Sequence, residues 1–221
     1  MIAERFENQS GIINPSVLAS KEFTVIGAGA IGSFLVPTLA KMGAEKITVY
    51  DDDRIEEHNI ANQFYPTIDM AAPKVNALKV MTACHSGVSL ETRQKRWDNS
   101  DGLSEIVICC VDNMETRQLL FAQSRVGDRT RWFIDGRMGA QFMRAYCINC
   151  GVPSEVEFYV KTLYSDAQAS PERCTEKSII YTGLIVAGLM LNLIKRAING
   201  ERRPIEQVWD CVTSTHVVTY L

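Results

Sequence analysis

The segment Phe23–Phe34, FTVIGAGAIGSF, constrains this chain more than any other stretch of its sequence. A β-type run, Phe23-Thr24-Val25-Ile26, leads directly into Gly27-Ala28-Gly29-Ala30-Ile31-Gly32, and Phe34, Leu35 and Leu39 then recur at helical spacing up to Met42. Strand, glycine turn and helix follow in that order. Gly27 permits a tight turn, Gly29 lets an anion approach the backbone, and Gly32 lets the helix pack close to the sheet, while the helix N-terminus offers unpaired N–H groups. Lys46–Tyr50 is a second strand that ends on Asp51-Asp52-Asp53. The two strands and the helix make one βαβ unit of about 30 residues, which implies a parallel sheet with a right-handed crossover. Asp51 falls about 20 residues past the last glycine, where a carboxylate meets ribose hydroxyls. A nucleotide-binding turn is the expectation, and a glycine turn kept only for packing is its rival.

The alternation continues along the chain. Pro73 opens a helix over Lys74–Ala83, Val88–Thr92 alternates as a strand, Glu105–Val111 is apolar throughout as a central parallel strand should be, and Met114–Val126 reads as a helix. After Trp132–Asp135 the pattern changes. Met143–Ile148 and Glu155–Lys161 alternate with period two on either side of the turn-rich stretch 149–154, which predicts an antiparallel hairpin. Residues 164–177 are polar and form a crossing loop ahead of an apolar helix over 178–197, and 207–221 can add short strands. The expected fold class is α/β: a doubly wound, mainly parallel sheet with an antiparallel C-terminal extension. A single domain spans 1–221, with a nucleotide-binding half over about 21–136 and the hairpin, crossing loop and C-terminal helix over 137–221.

A chain of 221 residues, 46% hydrophobic and 22% charged, buries enough surface to fold without a disulfide or metal staple, so its seven cysteines need not pair. Cys84, Cys109, Cys110 and Cys211 lie in apolar runs and read as small core residues. Cys147 and Cys150 form one C-x-x-C, with no second pair to complete a structural zinc site. A net charge of −3 argues against nucleic acid as the main partner. The opening residues MIAERFENQSGIINPSVLAS lack the basic start and apolar core of a secretory signal, which gives a cytoplasmic expectation with reduced thiols. Ile179–Ile194 is shorter than the ~20 apolar residues that span a bilayer, so it reads as a helix buried in protein, with no membrane partner.

Polar groups follow one strand after another: Asp51-x-Asp53-x-Ile55, His58-Asn59-Ile60-Ala61-Asn62-Gln63-Phe64, Pro73-Lys74-Val75, Cys110-Val111-Asp112-Asn113 and Asp135-Gly136-Arg137-Met138-Gly139. Those are the carboxyl ends of strands, where open α/β sheets bind ligands. The bland alternatives are a solvated helix-start lysine for Lys74, a helix N-cap for Asp112 and a surface turn residue for Arg137. On the glycines and Asp51 alone, an NAD-binding domain is served equally well.

This ordered set resembles the ubiquitin-activating-enzyme-like family of ThiF, MoeB and HesA, from about Arg5 to Asn199. The resemblance implies a Rossmann-like fold and a homodimer. It also implies ATP- and Mg²⁺-dependent adenylation of the C-terminal carboxylate of a small ubiquitin-like or sulfur-carrier protein ending in glycine. By that resemblance Gly27, Gly29 and Gly32 hold the phosphate region and Asp51 the ribose, Asn59 and Gln63 line the nucleotide, Lys74 neutralises the triphosphate, and Asp112 holds Mg²⁺. Cys174, in the crossing loop between Arg173 and Lys177, whose charges favour thiolate, resembles the cysteine that takes the activated carrier as a thioester.

The chain departs from the family in three places. The paired-cysteine zinc site common in the ThiF and MoeB branch is missing. The family patterns R-Y-x-R-Q and N-L-x-R-Q read here Arg5-Phe6-Glu7-Asn8-Gln9 and Asn59-Ile60-Ala61-Asn62-Gln63, with asparagine in place of both inner arginines. Arginines in other phosphoryl transfers contribute about 10³ to 10⁵ in rate. Either another cation compensates, Arg137 first and Arg54 behind it, or the chain is a catalytically inactive nucleotide-binding scaffold. An NAD-dependent oxidoreductase is the remaining rival, without an evident substrate domain.

Overall fold

Eight strands, the central ones buried on both faces and the last one exposed, assemble into one sheet. They are β1 (Glu22–Ile26), β2 (Lys46–Tyr50), β3 (Glu91–Arg93), β4 (Ile106–Cys109), β5 (Trp132–Gly139), β6 (Phe142–Asn149), β7 (Glu206–Asp210) and β8 (Thr215–Thr219). The computed structural model describes residues 2–164 and 178–221. The order is β3-β2-β1-β4-β5-β6-β7-β8, parallel from β3 through β5 and antiparallel from β5 onward. Chain order reverses between β1 and β4, so the loops leaving those two strands diverge and open a crevice at their carboxyl ends.

Each central strand feeds two cores. In β4, Ile106 and Ile108 face one side of the sheet and Val107 and Cys109 the other, all four buried. The first side is covered by α3 (Gly32–Met42), α5 (Lys74–Ser86) and α8 (Ile180–Asn199), through Leu35, Leu39, Val75, Leu78, Met190 and Leu193. The second side is covered by α6 (Met114–Ser124) and α7 (Pro153–Val160), where Phe121 and Tyr159 stack against Phe133 and Tyr146. Short helices α1 (Ile2–Arg5), α2 (Pro15–Ser20) and α4 (Glu57–Ile60), with single 3-10 turns at Glu7–Gln9 and Thr67–Asp69, complete the described elements. By length and composition α8 could cross a membrane, yet Val186, Ala187, Met190 and Leu193 pack into the first core, as expected of a buried helix.

Two local expectations are corrected. The antiparallel partner of β6 is β5, joined to it through Ala140 and Gln141, and residues 153–160 form a helix, not a strand. Pro153 sits in the first turn of α7 and Glu155 Oε2 accepts from the Asn149 N–H at 2.7 Å, which favours a helix start. The spacing of Val156, Tyr159 and Leu163 then wins over the alternation of Val156, Phe158 and Val160, because it carries all three onto the second core. Cys84 is exposed: α5 turns Val75, Leu78 and Thr82 inward and Cys84 away from them. Cys147 joins the first core and Cys150 packs against the second, so the C-x-x-C does not present a pair of thiols to one metal.

Candidate functional site

The glycine loop leaves β1 at the crevice and returns as α3. Gly27 has a φ of +100°, and a Cβ there would lie 2.6 Å from the Cys110 carbonyl oxygen at the end of β4. A Cβ on Gly32 would lie 2.1 Å from the Gly27 carbonyl oxygen. Both glycines are demanded by packing. Gly29 differs, because only Gln63 Nε2, at 3.9 Å, approaches its missing Cβ. The space over Gly29 is therefore open, while the N–H groups of Ser33, Phe34 and Leu35 in the first turn of α3 donate to the carbonyls of Gly29 and Ile31 and pin the turn.

Two side chains brace this loop. The Ala28 N–H donates to Asp51 Oδ2 at 2.7 Å, and the Ala28 carbonyl accepts from the Tyr65 hydroxyl at 2.6 Å. Asp51 Oδ1 accepts from the Asp53 N–H at 2.9 Å. Burial pushes the Asp51 carboxyl above its ordinary pKa, opposed by the Ala28 N–H and by the charge of Lys74. The residue that spacing assigns to the ribose thus already closes the loop on itself.

Lys74, the first residue of α5, is 6% exposed, and its Nζ lies 2.6 Å from Asp53 Oδ2. It is not a solvated surface lysine. Arg54, on the neighbouring turn, is exposed and donates to the Ala71 carbonyl at 2.8 Å. The carboxylates of Asp51, Asp52 and Asp53 come within 4.8 Å of one another, with Arg96 on Asp52 at 3.0 Å.

Asn59 and Gln63 reach the crevice through α4 and the turn after it. Asn59 is buried and accepts from the Glu56 N–H at 3.0 Å in a capping box, which orients the short helix. Gln63 is 7% exposed and its Oε1 is buried without a partner. Asn62, at the family's arginine position, donates from Nδ2 to Ser178 Oγ at 3.1 Å, while its own Oδ1 is buried and unpartnered. Gln63, which borders the open glycine cradle, thus carries an orphaned amide oxygen, and Asn62 beside it in sequence carries another, an unusual concentration of unmet polar capacity. With buried Lys74, the cradle and these amides fit a ligand that is both anionic and rich in hydrogen-bonding groups, which a nucleoside triphosphate is.

Asp112 follows β4 and is exposed. The cap of α6 is Asn113, whose side chain accepts from the Thr116 N–H at 2.9 Å, so Asp112 is left out of capping. Arg137 is not a surface residue: its side chain is 13% exposed. Its Nε lies 2.7 Å from Asp135 Oδ2, its other nitrogens donate to the carbonyl and hydroxyl of Thr162 at 2.9 and 3.0 Å, and it lies over the Tyr146 and Tyr159 rings. Asp135 also takes Arg117 Nε at 2.8 Å and the Tyr159 hydroxyl at 2.8 Å. This hub escaped sequence reasoning, although one signal was there: Arg117 stands on the same face of α6 as Met114, Leu120 and Phe121, where an apolar residue is the norm.

The other expected residues lie apart or outside. Asn8 is exposed in a turn whose neighbour Gln9 donates to the Met42 carbonyl at 2.6 Å, at the far end of α3 from the glycine loop. A helix of 11 residues spans about 16 Å, so this segment does not reach its own chain's crevice. Cys174 lies outside the described residues.

A profile of the ThiF family matches residues 14–214. The SAMP-activating enzyme E1 of Haloferax volcanii is 32% identical over 110 residues, 47% of this chain and 41% of that protein. The adenylyltransferase and sulfurtransferase UBA4 of Yarrowia lipolytica is 30% identical over 116 residues, 50% of this chain and 29% of that protein. Each match takes in less than half of the relative's own length. Among solved structures, PaaA superposes with a TM-score of 0.77 at 17% identity, over 99% of this chain and 73% of its own, a likeness of fold.

Proposed function

The chain belongs to the ThiF family, and from that premise we propose that it uses ATP to activate the C-terminal carboxylate of a small ubiquitin-like or sulfur-carrier protein. The observation that carries this reading is the open cradle over Gly29 at the switch point of the sheet, bordered by Gln63 with its orphaned amide oxygen and followed along the strand ends by buried Lys74 and exposed Asp112. The carrier carboxylate attacks the α-phosphorus. The new bond joins a carboxyl oxygen to that phosphorus, the bond to the bridging oxygen breaks, and pyrophosphate leaves with its electrons.

Two anions must meet in this reaction, so the chain's main contribution is positioned positive charge. Gly27 and Gly32 fix the loop, Gly29 admits the phosphates, and Asn59 and Gln63 line the nucleotide. Asp51 holds the loop shut through Ala28 and keeps its remaining acceptor capacity for the ribose. Lys74 exchanges Asp53 for the triphosphate. Asp112 would hold Mg²⁺, which supplies charge neutralisation on the phosphates, and one or two carboxylates suffice for that. Arg137 is committed to Asp135, so the compensating cation falls to Arg54. Cys174 accepts the carrier as a thioester, with AMP leaving. A homodimer in the cytoplasm completes the proposal, supported for the dimer by Ile180, Tyr181 and Leu184 standing exposed on α8.

ATP–pyrophosphate exchange with Mg²⁺ and a panel of carriers ending in glycine tests the reading. Exchange that disappears in Lys74→Ala is expected, with a carrier adduct on Cys174 detected by mass spectrometry. ATP binding without exchange for any carrier would instead establish the inactive scaffold, which the asparagines at positions 8 and 62 favour. Tight NAD binding without ATP binding would return the oxidoreductase.

A further inference from the structure

The buried cluster around Asp135 reaches both sides of Asp112. Asp135 is 0% exposed, and three donors converge on it: Arg117 Nε at 2.8 Å, Arg137 Nε at 2.7 Å and the Tyr159 hydroxyl at 2.8 Å. Arg117 spends its remaining nitrogens on backbone. One donates to the Val111 carbonyl at 2.6 Å and the other to the Asn113 carbonyl at 3.3 Å. Those are the carbonyls immediately before and after Asp112. A single planar guanidinium therefore clamps the loop on either side of an exposed carboxylate, and Asp135 fixes the guanidinium.

We propose that Arg117 and Asp135 are positioning residues that hold Asp112 where a divalent cation bound to a nucleotide can use it, an inference that rests on the role given to Asp112 above. Stability alone is a poor reason for this cluster. Burying ions costs several kcal/mol of desolvation each, and apolar side chains of similar volume often serve stability as well or better. What apolar side chains cannot do is hold two carbonyls and a carboxylate at once. Lysine cannot do it either, since a point charge lacks the fork of donors. The same hub anchors Thr162 through Arg137, so the β4–α6 loop and the turn after α7 share one fixed point.

The test measures affinity for the non-hydrolysable analogue AMPPNP with Mg²⁺ and with EDTA, and takes the ratio as the metal-dependent gain. Asp112→Asn should abolish the gain. Arg117→Lys should cut it by about tenfold or more, as loss of a group that orients a metal ligand does, while leaving the affinity in EDTA unchanged. Arg203→Lys is the control: this arginine is held in a partly buried ion pair, on Glu155 at 2.6 Å, and should lower the melting temperature without touching the gain. If Arg117→Lys does not fold, the double variant Arg117→Gln with Asp135→Asn removes both charges together and must show the same loss. A gain that vanishes in Asp112→Asn and survives in the Arg117 variants overturns the positioning role and leaves the adenylation reading standing. A wild-type protein with no metal-dependent gain overturns the role of Asp112, and this inference with it.

Discussion

Gly29→Ala and Gly32→Ala should pull stability and nucleotide binding in different directions, and the contrast separates a ligand cradle from a packing device. At Gly32 the new methyl would lie 2.1 Å from the Gly27 carbonyl oxygen, about 1 Å closer than side-chain contacts allow, so α3 must back away from the loop. Overpacking of that kind costs about 1–3 kcal/mol, which for a chain of this size lowers the melting temperature by roughly 2–12 °C. At Gly29 the nearest atom is 3.9 Å away and φ is outside the left-handed region. Alanine there meets no obstacle and restricts the unfolded chain, so stability should hold or rise by about 0.4–1 kcal/mol. Its methyl does, however, occupy the space through which phosphate reaches the backbone. Hydrogen bonds to charged groups are worth about 1.5–3 kcal/mol, so displacing one weakens ATP by about 10- to 150-fold. Thermal melts and ATP titrations on the two variants decide the matter. If Gly29→Ala binds ATP like the wild type, phosphates do not lie over this loop and the site has been misplaced.

Three further outcomes follow from the same geometry. In Lys74→Met the lost partner Asp53 is 59% exposed at its side chain, so stability should fall by about 1 kcal/mol or less while ATP affinity drops about tenfold or more, as read by melting and titration. Asp135→Asn leaves two buried guanidiniums facing a neutral amide and should cost about 3–5 kcal/mol, a melting temperature lower by roughly 6–20 °C. Burial, the largest influence, pushes the Cys109 and Cys147 thiols up to about 12 and Cys150 up to about 11, against an ordinary 9.0. Mildly alkaline iodoacetamide should label exposed Cys84 well before these three, and equal labelling of Cys147 would mean that β6 opens readily. Above pH 9 the unfolded chain loses thiol protons that the native chain keeps, so stability should decline between about pH 9 and 12. At the acid end the signs divide. Burial raises the pKa of Asp135, but Arg117 and then Arg137 more than offset it, so its stabilisation is lost as pH falls below 3.8 through its lowered value. Asp51, raised by burial, gives the opposite and partly offsetting slope above 3.8.

The parallel half of the fold was legible because its signals are local. A glycine loop between a β-type run and a helix, or the four apolar residues of β4, can be read without knowing what lies across the sheet. The stretch 153–160 was not legible, because Val156, Phe158 and Val160 satisfy a strand while Val156, Tyr159 and Leu163 satisfy a helix, and only the second core decides between them. Long-range partners account for the rest. Nothing near Arg137 in sequence announces that its donors end on Asp135 and Thr162, nor does anything near Lys74 foretell its burial on Asp53. Asp112 stands out in the sequence by its place after a strand, but only the structure shows that Asn113 takes the cap of α6 and leaves Asp112 outside it.

Counting charges at the crevice turns the two absent arginines into a specific expectation. Asp51, Asp52, Asp53 and Asp112 supply four carboxylates among the described residues. Lys74 is paired with Asp53, Arg96 with Asp52, and both Arg117 and Arg137 are held by Asp135. Arg54 is left with a single carbonyl contact to Ala71, exposed, bridged through its backbone to Pro73 and so next to Lys74. A cation that acts as charge builds up at the α-phosphorus must be able to leave its resting partner, and a lone hydrogen bond to an exposed carbonyl is far easier to give up than a buried carboxylate. Arg54→Met should therefore lower kcat for ATP–pyrophosphate exchange by about 10³-fold, the lower end of what such arginines contribute, with ATP affinity little changed. Arg54→Lys should recover part of the loss by charge alone. Exchange that persists in Arg54→Met would strip Arg54 of its role.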